Sequence, residues 1–305
     1  MRDLGSRSLL VIGGSSYALT LPKEWVRERG ISAGSRVRLF EGSSGELIIS
    51  PVGEAGSRVR VELRGRLREG AWEIVAAYLD GYDEVEILRE RLTREDVGIL
   101  RRTASKLMGM EILEEGPGRI LMRCLMDYSS AHPADLLLRM KGIVTGMLSD
   151  LGRACLEGDE ETLSLVVERD DDVDRLYFAL VRQVRKAMRS PEIMGRLELE
   201  PIDLLDMRIA AMILELIADS VVELAQCGLS CEKISGTLEE ASNLLSSAFR
   251  SLELRDFRAA LEVRERVERS LSELAERLKG EMTLLPLANL LVRIGDLCDL
   301  VGPRF

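Results

Sequence analysis

At 305 residues the chain has room for two or three domains, and an apolar content of 46% is enough to fill their cores. Aromatic residues make up only 4%, which favours helix-rich packing over an all-β fold. The net charge of −10 is uneven: residues 1–51 carry seven Arg/Lys against five Asp/Glu, net +2, and the remainder 35 against 47, net −12, so only the N-terminal part can approach nucleic acid. A single His leaves almost no room for a His-based zinc or catalytic centre. Five Cys, an odd number in no dense framework, fit a reduced intracellular protein. No secretory signal or membrane span is read, and a cytoplasmic location is expected.

Residues 7–12 read as a strand, GGSSY as a tight turn and Ala18–Leu21 as a second strand. Pro22 opens a short helix that Gly30 ends, with Trp25 expected in its core. ISAGSRVRLFE supplies a turn and a strand, GSSGE a hairpin turn and LIISP the last strand. Some fifty residues in this form make a small core, and a dimer is the natural physical solution.

A linker at 52–57 leads into a compact alternating α/β region. Arg58–Leu63 and Glu84–Leu88 read as strands, and 69–79 and 94–108 as helices, the second started by Thr93. A hairpin follows around Gly116–Gly118. It contains no nucleotide-binding fingerprint.

From Pro133 the pattern is helical to the end, with His132–Pro133 marking the first helix start. The segments are roughly 133–156, 159–189, 201–227, 231–253, 256–279 and 283–301. LEGDEET resembles LELRDF, and Ile217–Ala218–Asp219 echoes Ile294–Gly295–Asp296, as a tandem three-helix repeat requires. Cys227 and Cys231 sit near a helix end and read as small apolar or capping residues.

Two carboxylate couplets stand out. Asp170–Asp174 and Glu215–Asp219 each lie at i,i+4, which puts two acids on one helix face. Four Asp within the five positions 170–174 make a poor helix former by propensity and by repulsion, a run that selection for helix stability would not choose. Facing one another, the couplets would make an oxygen-rich pocket for iron, manganese or another hard divalent ion. The alternative is a solvated acidic face that meets arginines, Arg208 among them. The second repeat has Val267, Leu271 and Val292 at the echoing positions, with Asp296 and the nearby Glu268 as its acids.

The stretch GSSYALTLPKEWV…GISAGSRVRLF…GELIISP resembles the AbrB/SpoVT-type swapped-hairpin fold of bacterial transition-state regulators and antitoxins. That resemblance implies two chains interleaved into a β-barrel, with DNA held by Arg7, Lys23, Arg36 and Arg38, of which Arg7 and Arg38 are the best placed. The motifs DDDVD, ELIAD and VRIGD in the C-terminal half resemble the PhoU family of phosphate-uptake regulators, and the combination resembles archaeal members of that family. The resemblance implies a metal at Asp170, Asp174, Glu215 and Asp219. It also implies DNA and a phosphate transporter or sensor kinase as partners.

The expected architecture is a multidomain α+β chain. A swapped-hairpin β-barrel spans residues 1–53 and a small α/β domain 54–128. Two all-α three-helix repeats follow at 129–228 and 229–305. Ion occupancy of the pocket is expected to set the relation of its two helices and so alter the head or a partner surface. An adaptor that docks on a transporter or kinase without binding DNA stays open as an alternative. A metal-dependent enzyme is set aside because the Glu-x-x-His pattern of di-iron bundles is missing.

Overall fold

The structure is a computed structural model that describes residues 3–42, 44–52, 57–62, 67–126, 131–227, 234–277 and 284–301. The chain divides into two compact units, Met1–Ala55 and Gly56–Phe305.

In the first unit β1 (Leu10–Ile12) pairs antiparallel with β2 (Ser16–Ala18), and β3 (Val37–Glu41) with β4 (Leu47–Pro51). Gly13 and Gly14 turn the first hairpin with φ of 63° and 78°, so β2 begins two residues earlier than the sequence pattern predicts. Between the hairpins lies α1 (Lys23–Glu28), which follows Pro22 and stops before Gly30.

The expected swapped-hairpin β-barrel is not what forms. The two hairpins are separate two-stranded ladders with no hydrogen-bonded strand between them, and β1 and β2 are only three residues long. Ladders this short leave open edges on both sides, so no sheet closes or curls among the described residues. No described side chain of this unit is buried, Trp25 included.

The second unit opens with a four-stranded sheet. Its strands are β5 (Arg58–Glu62), β6 (Glu84–Leu88), β7 (Met110–Gly116) and β8 (Arg119–Cys124), in the order β5-β6-β8-β7. β5 and β6 are parallel, because α2 (Leu67–Leu79) crosses between them; the other pairs are antiparallel. The helix α3 (Arg94–Ser105) starts at Thr93 in a capping box with Asp96. Alternation along the strands sends Val61, Val85, Ile87, Ile120 and Met122 into a core with Ile74, Tyr78 and Leu100. The opposite face carries a charge ladder. Glu84 lies 2.7 Å from Arg58 Nε and 2.8 Å from Arg123 Nε; Glu86 lies 3.1 Å from Arg60 Nε and 2.7 Å from Arg119 Nε. These arginines hold both carboxyls below their ordinary pKa.

The rest is helical: α4 (Pro133–Glu157), α5 (Glu160–Glu168), α6 (Asp170–Arg189), α7 (Pro191–Leu197), α8 (Pro201–Gln226), α9 (Ser235–Leu254), α10 (Phe257–Arg277) and α11 (Leu285–Cys298). His132 caps α4 by accepting the Ala134 N–H at Nδ1 (3.2 Å). That leaves Nε2 to carry the proton and donate to the Leu197 carbonyl at 3.2 Å. The segment expected as one helix over 159–189 is interrupted at Arg169, and Ser190 caps the additional short helix α7. α4, α6 and α8 pack on one another, as do α9, α10 and α11; α8 against α11 and α4 against α9 join the two sets around one continuous core.

One side chain locks the sheet region to the bundle. Arg182 of α6 is 2% exposed and donates Nη1 to the carbonyls of Tyr78 and Tyr82 at 2.7 and 2.8 Å. Its Nη2 reaches Asp83 at 3.2 Å. Lys186, one turn on, contacts the same Asp83 carboxylate at 2.6 Å, and Arg185 meets Asp80 at 2.9 Å. Phe178 of α6 also packs on the core beneath the sheet.

Candidate functional site

The first turn of α6 is Asp170, Asp171 and Asp172. Free N–H groups and the positive end of the helix dipole favour acids there. This corrects the expectation that helix stability disfavours the run: it sits at a helix start, not in an interior. Asp170 and Asp174 lie on the side of α6 that packs against α8, where Glu215 and Asp219 stand one turn apart. Asp170, Asp174 and Glu215 are half-buried and Asp219 is exposed.

Burial raises all four carboxyls, and repulsion from neighbouring acids adds to it at Asp170, Asp174 and Glu215. Asp170 is pushed up to about 6, first by burial and then by Asp174, Asp219 and Asp171, against the pull of Lys106. Glu215 is pushed up to about 7 by burial, then by Asp219, Asp174 and Asp170, against Arg208. Asp174 rises by burial and by Asp219; Asp219 rises by partial desolvation. Among the described residues none of the four has a cation within 4 Å. Lys106 instead reaches the exposed Asp171 at 3.1 Å, and the Arg208 guanidinium stacks 5.0 Å from the Tyr177 ring.

The structure therefore brings both couplets into one electrostatic field. Their chemistry, hard oxygen donors half removed from water and lacking a counter-ion, suits a hard cation. Their positions suit it less well: among the described residues no three His, Cys, Asp or Glu converge closely enough to hold a metal ion. Charge repulsion reaches further than a coordination bond, which reconciles the two findings.

The second set of helices has paired its acids. Asp296 accepts from Arg293 at 3.1 Å, and Glu268 lies 3.7 Å from Arg264. Val267 is buried against Gly295. Arg7, Lys23, Arg36 and Arg38 in the N-terminal unit are all exposed, on different segments; Arg7 turns back onto the Ser6 carbonyl at 2.8 Å. Cys227 is the exposed cap of α8, and Cys231 lies outside the described residues. Sequence reasoning missed Arg182. The available signal was a basic stripe, Arg182, Arg185/Lys186 and Arg189, at helical spacing.

A family model described as PhoU domain matches residues 137–227, which runs from α4 through α8 and contains both couplets. The helical half is PhoU-like. A second model, described as antidote-toxin recognition MazE, bacterial antitoxin, matches residues 10–65, so the N-terminal unit is MazE-like. No curated protein matches the chain. Two solved structures are similar in part. One is the phosphate transport system regulatory protein PhoU from Streptococcus pneumoniae, at 14% identity, covering 55% of this chain and 91% of that one, with a TM-score of 0.46. The other is PhoU from Pseudomonas aeruginosa, at 14% identity, covering 57% and 97%, with a TM-score of 0.42. Among the described residues no helix is long and apolar enough to cross a membrane.

Proposed function

We propose that this protein regulates phosphate uptake by binding partners, with the PhoU-like half as the sensing and docking domain and the MazE-like unit as a dimerising, DNA-directed head. The carrying observation is the PhoU-domain match over the stretch that holds both acidic couplets. Deleting the gene should change uptake of radiolabelled phosphate or transcription of phosphate-transport genes in phosphate-replete cells. If both stay unchanged, the reading fails.

Two parts of the reading have separate tests. Leu10, Val11, Ile12 and Tyr17 are all more than half exposed, a set of apolar side chains that a second copy of the head would cover. A metal ion such as iron, manganese or zinc held by Asp170, Asp174, Glu215 and Asp219 would have to draw the four acids closer than they now stand, and would neutralise the charge between α6 and α8. Elemental composition of the purified protein, compared with a variant in which all four become Ala, tests the cation. Light scattering of the isolated full chain tests the dimer.

An adaptor that never touches DNA is favoured by the small net charge of +2 over residues 1–51. DNA affinity that is absent even at low salt, with retained binding to a transporter or kinase, would select it.

A further inference from the structure

At one end of the bundle, away from the couplets of α6 and α8, the start of α4, the start of α8 and the ends of α9 and α11 enclose a groove of about 920 Å³. Its floor is apolar: Leu137, Met207, Phe249, Leu252 and Val301. Leu138 and Ile202, 46% and 50% exposed, leave large aliphatic surface at the lip. The rim is acidic, with Glu198, Glu200, Asp203, Asp206, Glu253 and Asp299 against a single cation, Arg255.

Arg255 is already engaged by Asp203, and Asp299 by Arg264. Among the described residues Glu198, Asp206 and Glu253 have no cation within 4 Å. Asp206 is raised by burial, with Arg255 opposing and Asp203 adding to it: it stands in a half-dry place beside another acid, where an incoming cation would favour its charged form. The C-terminal ends of α9 and α11 reach the groove with no basic residue in their last turns, which adds their negative dipole ends. The N-terminal ends of α4 and α8 are occupied by their own caps, His132 and the Glu200–Asp203 box.

Apolar floor and negative rim together describe the complement of a basic amphipathic helix, which lays Leu-type side chains into a groove and its Lys/Arg along the edges. The occupant must be cationic. The body of a second copy, net −12 over residues 52–305, would be repelled. We propose that this groove docks a basic amphipathic helix of a partner protein. The inference rests on the reading of the helical half as a docking domain and names the chemistry of what docks.

The test uses the full-length protein and a fluorescent peptide of roughly 18 Leu and Lys residues, long enough to hold a helix. Anisotropy titrations compare the parent, the groove variant Asp206→Lys/Glu253→Lys, and a control reversal on exposed α5 acids, Glu160→Lys/Glu161→Lys. The groove variant should weaken binding at least tenfold, while the α5 variant stays close to the parent. Circular dichroism confirms that each variant is folded. A misfolded groove variant is replaced by Asp206→Asn/Glu253→Gln, expected to lose affinity in the same direction. Equal losses in the groove and α5 variants would mean general attraction to a negative protein and overturn the proposal. So would no binding, or self-association abolished by the groove reversal, which would assign the groove to a second copy. Failure here with an intact effect of gene deletion on phosphate uptake leaves the regulatory reading standing.

Discussion

Arg182 both donates to the backbone carbonyl of Tyr78 at 2.7 Å and lays its guanidinium 4.9 Å from the centroid of the same residue's ring. One side chain thus reads the end of α2 twice, by hydrogen bond and by cation–π contact. Arg182→Met would remove a donor from the Tyr78 and Tyr82 carbonyls and one partner from Asp83, which keeps Lys186 and the Ser57 N–H, and it should destabilise by about 1–3 kcal/mol. Chemical denaturation measures it; a loss under about 1 kcal/mol would show that the lock is replaceable.

Asp83 gives that lock a pH signature. Burial alone would raise its pKa, but Lys186, the Ser57 N–H and Arg182 outweigh burial and lower it. Its stabilising contribution is therefore present above the unfolded pKa and is lost as pH falls through the lower folded value. Thermal melts of the parent should drop on acidification below about pH 4, the ordinary Asp range. Those of Asp83→Asn should lack that component of the drop.

The couplets behave oppositely. Asp170 and Glu215 are raised to about 6 and about 7, so the folded state holds protons that the unfolded state releases. Stability should fall as pH rises between about 4 and 7, where the unfolded carboxyls are ionised and the folded ones are not yet. Asp170→Asn or Glu215→Gln should each raise Tm by about 2–4 °C at pH 8 in metal-free buffer, after allowance for solvent screening. Near pH 4 neither should have much effect. Equal gains at both pH values would mean packing, not charge, is responsible.

Gly81 takes φ of +88°, and a Cβ built there would run into Lys186 Cγ. Gly81→Ala therefore meets a strained backbone and a blocked space together. A loss of about 1–2 kcal/mol or more is expected, read as a lower Tm. A neutral result would show that Lys186 gives way.

Gln183 is 2% exposed and its Nε2 has no hydrogen-bond partner among the described residues. Leaving a buried amide unpaired costs about 1–3 kcal/mol, so Gln183→Met, similar in volume, should stabilise the fold. Destabilisation on urea unfolding would reveal that the amide has a partner after all.

The long helices, their Gly and His–Pro boundaries and the i,i+4 couplets are legible because period and capping are local properties. The break at Arg169 is less so, since VVERDDDVD continues a helical pattern and only the packed chain shows that its acids begin a new first turn. Nor could the spacing of Arg182 say that it is buried, because that depends on the distant Tyr78–Asp83 turn. The four acids share a field yet do not converge, and sequence spacing fixes only the face on which each couplet lies, not the distance across to the other helix.

Helix α6 spans twenty residues, a rod of about 30 Å at 1.5 Å per residue. Its first turns carry the repelling acids and its last turns grip the sheet region through Arg182, Arg185 and Lys186. The same rod meets the sheet region at both ends, through Lys106 and Asp171 beside the acids and through Asp80 and Asp83 at the grip, so the charge of the couplets and the packing of the Tyr78–Asp83 turn are carried on one element.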